Sequence, residues 1–253
     1  MRKYLLVVVL VVAALFVFNA CVAETQKPEE ETPSTGSATA IYNAIEPLFS
    51  AATDSTVSAV VKGIVVNAYV YTYTTKEGEE VTQKIIQIEE LDGKAGLKVE
   101  LSGGETLPEV GKVVAAYGTL RKYEDTYNNV VTFKLQDATY EVLDEVATPI
   151  FNKITKEFFA TDNNYKLNTL VEATGLVTKV DTKYHKMYLD IDVEGSTKTI
   201  VVHSFNEDVK NWIDDFGETY IGSELYVRGY WRIAYSEWRI TPRTTADIPA
   251  IGE

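Results

Sequence analysis

The sequence predicts an all-β protein with short helices, organised as two consecutive five-stranded units that follow a signal peptide and a disordered tether. Along Ile221 to Pro242, Glu224, Tyr226, Arg228, Tyr230 and Arg232 fall on one face and Leu225, Val227, Trp231 and Ile233 on the other. That period of two belongs to strands with one buried side. The layout also recurs, because Gly111 and Gly118 each stand 111 positions before Gly222 and Gly229, within the matching stretches Val110 to Lys134 and Ile221 to Pro242. The chain therefore carries an internal duplication. Composition agrees, with 16 tyrosines and frequent Val, Ile and Thr against 7 prolines and 2 methionines.

The 253-residue chain opens with Arg2 and Lys3, an apolar run from Leu5 to Phe18, and then Asn19-Ala20-Cys21. A basic start and an apolar run of this length form an export signal. Cys21 is the single cysteine, so it has no partner for an intramolecular disulfide and takes its meaning from its position. The stretch resembles a bacterial lipoprotein signal. That resemblance implies cleavage after residue 20, lipidation of Cys21 and attachment to a membrane through the N-terminal lipid. An uncleaved anchor from Leu5 to Ala23 is the alternative, and both readings place the remainder outside the cytoplasm, in the cell envelope. Residues 21–40 are rich in Glu, Pro, Ser and Thr and form a disordered tether that reaches about 65 Å when fully extended.

Residues 41–56 make a short helical lead-in, with Ile41, Ile45, Leu48 and Phe49 at helical spacing and Pro47 limiting its length. The first unit, 57–143, has strands at Val57 to Tyr73, Lys84 to Glu90 and Leu97 to Leu101, and closes with the Val110 to Lys134 hairpin. The connector, 144–167, is partly helical on the spacing of Ile150, Ile154 and Phe158. The second unit, 168–253, has strands at Leu170 to Lys179, Tyr184 to Val193 and Thr197 to Ser204. A helix follows, capped by Asn206, with Val209, Trp212, Ile213 and Phe216 on its apolar face and Gly217 at its end. The Ile221 to Pro242 hairpin supplies the last two strands.

This element order resembles the OB fold of single-strand nucleic-acid-binding and anticodon-binding proteins, with Gly63 and Gly175 at the bend of each first strand and Gly118 and Gly229 in each fourth. The resemblance covers about residues 57–143 and 168–250 and implies two consecutive OB-fold-like barrels. The first unit departs from it in having no helix between its third and fourth strands. A pair of β-sandwiches is the alternative, and the strands that it needs are not there to be counted.

No reaction signature appears. His185 and His203 are the two histidines, too few with Cys21 to complete a zinc set, and Asp190 with Asp192 lacks a partner nucleophile. The expectation is a binding protein, not an enzyme, with no cofactor and no metal. Of six arginines, Arg228, Arg232, Arg239 and Arg243 lie close together, interleaved with Tyr226, Tyr230, Trp231, Tyr235 and Trp238. Guanidinium groups beside aromatic rings stack bases and grip phosphates. The first unit offers Arg121, Lys122, Tyr123, Tyr127 and Asn128 at the matching hairpin, and Tyr69, Tyr71 and Tyr73 on one strand face. Arginines on strands also pair with carboxylates such as Glu224 and Glu237, which is the structural alternative.

The candidate ligand is an extended polymer, single-stranded nucleic acid or oligosaccharide. Against a polyanion stands the net charge of −13, which repels polyanions unless a basic patch is local. The competing expectation is a protein-interaction or assembly module of an envelope complex.

Overall fold

The computed structural model describes residues 42–51, 57–162 and 164–248. The signal-like segment, Cys21, the tether and Ile41 lie outside these residues. The strands are β1 (Val57–Thr74), β2 (Glu80–Glu89), β3 (Gly96–Leu101), β4 (Val113–Asp125), β5 (Val130–Val142), β6 (Asn152–Lys153), β7 (Leu170–Asp181), β8 (Lys186–Val193), β9 (Ser196–Val202), β10 (Glu224–Ala234) and β11 (Glu237–Thr241). The α-helices are α1 (Ile45–Ala51) and α2 (Glu207–Phe216).

The first barrel closes in the order β1-β2-β3-β5-β4, with β4 returning to β1 and β3 parallel to β5. Pairing of β7-β8-β9-β11-β10, closed by β10 on β7 and with β9 parallel to β11, repeats that topology. Both are OB-fold barrels by strand order. In each, the first strand exchanges partners midway. Ile64 is the residue where β1 passes from β4 to β2, and Leu176 the one where β7 passes from β10 to β8. The preceding glycines permit the bend, since a Cβ would lie 2.5 Å from the Glu89 carbonyl oxygen at Gly63 and 2.7 Å from Ile191 Cγ2 at Gly175. Gly111 and Gly222, with φ of 91° and 85°, make the same turn before β4 and β10, each donating its N–H to the bent strand, at Val65 and Val177.

The barrels are plugged differently. In the second, α2 is capped by Asn206, whose side chain accepts from the N–H groups of Asp208 and Val209, and it buries Val209 and Ile213. Gly217 is in right-handed helical conformation and leads into a 3-10 turn; glycine serves there because a Cβ would crowd Val180. The first barrel has a loop between β3 and β4, and α1 fills its core instead, with Ile45 and Phe49 buried and Phe49 against Phe133 at 4.6 Å. Pro47 sits in the first turn of α1, where a missing N–H costs nothing.

The connector does not form an α-helix on Ile150, Ile154 and Phe158. It runs mostly extended, pairs as β6 along β7, and makes only a 3-10 turn at Lys156–Phe159. Tertiary packing overrides the helical spacing: Phe158 is buried against Trp231, whose indole N–H donates to the Phe158 carbonyl at 2.8 Å, while Ile150 stays exposed. The barrels are joined by a third apolar cluster, Ile64, Val66, Leu170 and Tyr230. Beside it the buried Glu89 carboxyl accepts from the Leu170 N–H at 2.8 Å, and Gln87 donates to Asn168.

Candidate ligand-binding groove

A groove runs between the barrels. A β-bulge after Val65 sets one of its walls, because the extra residue shifts the phase of β1 so that Tyr69, Tyr71 and Tyr73 project outward. Its larger lobe, about 690 Å³, lies between Tyr69, Tyr71 and Val110 on one side and Phe205, Arg232 and Arg243 on the other. The smaller lobe, about 200 Å³, is lined by Lys98, Tyr123 and Lys134 of the first barrel. Tyr69, Tyr230 and Arg232 border both lobes. Among the described residues the larger lobe is lined by two arginines and no carboxylate, and the smaller by Lys98, Lys134 and Arg232 with Asp125 as its one carboxylate. Glu100 pairs with both Lys98 and Lys134, at 3.3 and 2.9 Å, and Asp247 with Arg243, so in a chain of net charge −13 the groove cation left without an ion pair among the described residues is Arg232.

Among the described residues Arg232 forms no ion pair. Its guanidinium lies over the Phe205 ring at 4.9 Å. Arg239 stands directly across from it on β11, buried, paired with Glu237 and 5.3 Å from the Tyr235 ring. Tyr235 and Ser236, with φ of 55° and 59°, form a tight hairpin tip. That tip meets the β4–β5 tip: Ser236 N–H donates to Asn128 Oδ1 at 2.8 Å, and the Tyr127 and Tyr235 rings meet edge-on at 6.0 Å. Tyr123 carries the Lys134 ammonium at 4.8 Å over its ring. Burial, with Tyr230 beside it, pushes the Tyr69 hydroxyl up to about 12, so it is a donor at neutral pH.

The structure thus brings Tyr71, Tyr123 and Arg232 into the groove lining, while Tyr127, Tyr235 and Arg239 meet one another at the joined hairpin tips and line neither lobe. The other residues singled out in the sequence do other work. Tyr230 is 3% exposed and belongs to the inter-barrel cluster, so it presents no stacking face. Arg228 donates to the Ala246 carbonyl at 3.0 Å and lies over Phe151, and Arg243 forks onto Asp247, although its edge still reaches the groove. Tyr226 donates to Glu172 at 2.6 Å beside a separate surface dent. Arg121 is exposed on β4, and lines neither lobe. Phe205, Lys98 and Lys134 were not apparent from sequence. Lys98 and Lys134 are opposed across the parallel β3–β5 pair, and only the barrel's closure makes them neighbours.

His185 and the aspartate pair are otherwise committed, whereas His203 Nδ1 is buried with no hydrogen-bond partner among the described residues. His185 Nδ1 lies 2.7 Å from Asp214, Asp190 accepts from Thr199 and Asp192 from the Gly195 N–H.

No family model matches this chain. A curated plant protein, beta-myrcene/(E)-beta-ocimene synthase 2 of Arabidopsis thaliana, is 33% identical over 101 residues, and the chain spans 14% of that protein's length. Solved structures similar to this chain include the single-stranded DNA binding protein of Thermus aquaticus, at 15% identity and a TM-score of 0.28, covering 78% of this chain and 94% of that one. Fission yeast Pot1 with ssDNA gives 12% identity and a TM-score of 0.33, covering 81% of this chain and 84% of that one. A murine DNA binding protein with double-stranded DNA gives 11% and 0.32, covering 72% and 92%. Likenesses this distant transfer no ligand.

Proposed function

We propose that the protein is a non-enzymatic, envelope-anchored binding lipoprotein that holds an extended anionic polymer, single-stranded nucleic acid foremost, in the groove between its barrels. The observation that carries this reading is Arg232, without an ion pair among the described residues, in a groove lined with tyrosines. Each base stacked on an aromatic ring contributes about 1–3 kcal/mol, and phosphate contacts add a term that salt weakens. Oligosaccharide binding would use the same rings without that salt dependence.

Anisotropy titrations of labelled single-stranded DNA, RNA and a neutral oligosaccharide at low and moderate salt test it. The expected result is nucleic-acid binding that weakens with salt, and at least about fivefold further in Tyr71→Ala. Absence of nucleic-acid binding at low salt overturns it. The anchor rests on sequence alone, on the apolar run before Cys21. Cys21→Ser should abolish lipid labelling and membrane partition; unchanged labelling refutes lipidation.

The assembly-module reading is favoured by a different feature. On α2 and the turn after it, Trp212 packs with Phe216 and Tyr220 in a ring cluster, and Phe216 and Ile221 are each about half exposed.

A further inference from the structure

We propose that Arg232 and Arg239 form a binding site for a phosphomonoester dianion, the terminal phosphate of a single strand lying in the groove. This rests on the groove reading, and it makes the ligand an end rather than an internal stretch.

The two arginines are direct cross-strand partners on β10 and β11, so they project from the same face. Like charges in that position repel and call for a counter-charge. The carboxylate that the fold supplies is Glu237, and Arg239 and Lys186 both bind it, Lys186 at 2.9 Å, which leaves Arg232 without a counter-charge of its own among the described residues. The local excess of two positive charges matches a phosphomonoester, which carries about −1.5 to −2 near neutrality, better than a diester with one charge.

Arg239 is 1% exposed, and its Nε has no hydrogen-bond partner among the described residues. A buried guanidinium donor left open beside a second guanidinium that has no carboxylate of its own is suited to an incoming oxyanion. Two rings flank the pair, Phe205 against Arg232 and Tyr235 against Arg239, and they are 62% and 68% exposed. Both can take the base or sugar behind the phosphate, and rotation of the Tyr235 side chain opens Arg239. His203, edge-on to Phe205 at 5.4 Å, is pushed down to about 4 by burial and then by Arg239 and Arg232, so it is neutral here and reports on the charge beside it.

An end fits because the groove is bridged just beyond. Tyr235 touches Tyr127, and Ser236 bonds Asn128 and the Tyr127 carbonyl, so the two hairpin tips join on the far side of Arg239. A strand laid along the tyrosines meets this bridge at the arginines.

The test uses the folded protein and one oligonucleotide sequence bearing a 5′-phosphate, a 3′-phosphate or hydroxyls at both ends, with inorganic phosphate as a fourth probe. One phosphorylated form is expected to bind at least tenfold tighter than the hydroxyl form. Arg232→Gln should remove that preference, whereas Tyr71→Ala should weaken all forms and keep it. The His203 ring resonances should titrate at higher pH with phosphate bound. Circular dichroism of Arg232→Gln excludes misfolding, and Arg239→Lys repeats the test if Arg232→Gln unfolds. Equal binding of the three oligonucleotides overturns the proposal and leaves the groove reading standing. Phosphate binding that shifts His203, with no oligonucleotide binding, keeps the anion site and overturns the polymer reading. If no probe binds, both fail.

Discussion

Glu89 is the residue whose chemistry is most at odds with its surroundings. Its carboxyl is 1% exposed at the junction of the barrels, with Oε1 on the Leu170 N–H and Oε2 without a hydrogen-bond partner among the described residues. Burial raises its pKa from 4.5 to about 8, and the Leu170 hydrogen bond and the Arg243 charge offset only part of that. The folded protein therefore holds a proton that the unfolded chain releases above about pH 4.5. Stability from this group is complete below that pH, declines as the pH rises toward 8 and is flat beyond. Glu89→Gln keeps an oxygen for the Leu170 N–H and removes the titration. Urea unfolding at pH 5 and pH 8 should show the wild type losing roughly 2–4 kcal/mol relative to this variant. Parallel pH profiles for the two proteins would mean that Glu89 is ionised in the fold.

Among elements, what the sequence made legible was what period two and glycine encode. Leu225, Val227 and Trp231 enter the core as their alternation requires, and Asn206 caps α2 as its side chain and position predict. The matched glycines mark the same bends in both barrels, because a close backbone approach excludes a Cβ wherever it recurs. Alternation says which face is outward, not what covers it. Tyr230 and Arg232 share one outward face of β10, yet Tyr230 is sealed by β1 and β7 while Arg232 opens on the groove. Arg228 and Arg243 met Asp247, a partner beyond the hairpin that no short-range pattern reveals. The connector misled for a related reason: Phe158 is placed by Trp231, a residue 73 positions away, and not by its own neighbours.

For the whole molecule, duplication gives two barrels, but the interface determines whether they act as one. Ile64 and Val66 of the first barrel and Leu170 and Tyr230 of the second are almost fully buried against each other, and Glu89 and Gln87 reach across to Leu170 and Asn168. Burying a large apolar side chain contributes about 1.5–3 kcal/mol, so the second barrel alone forgoes several kcal/mol by exposing Leu170 and Tyr230. Its own core keeps the Trp231 stack with Trp238 and Phe159, and α2 still plugs it. A fragment beginning at Asp144 should therefore give β-type circular dichroism and a cooperative melt, at a temperature below that of the full chain. It should also bind single strands more weakly, since Tyr71, Tyr123, Lys98 and Lys134 leave with the first barrel. An aggregated fragment would mean that the junction is part of a shared core. A fragment as stable as the full chain would mean that the junction contributes nothing, and the groove could then open and close as the barrels move apart.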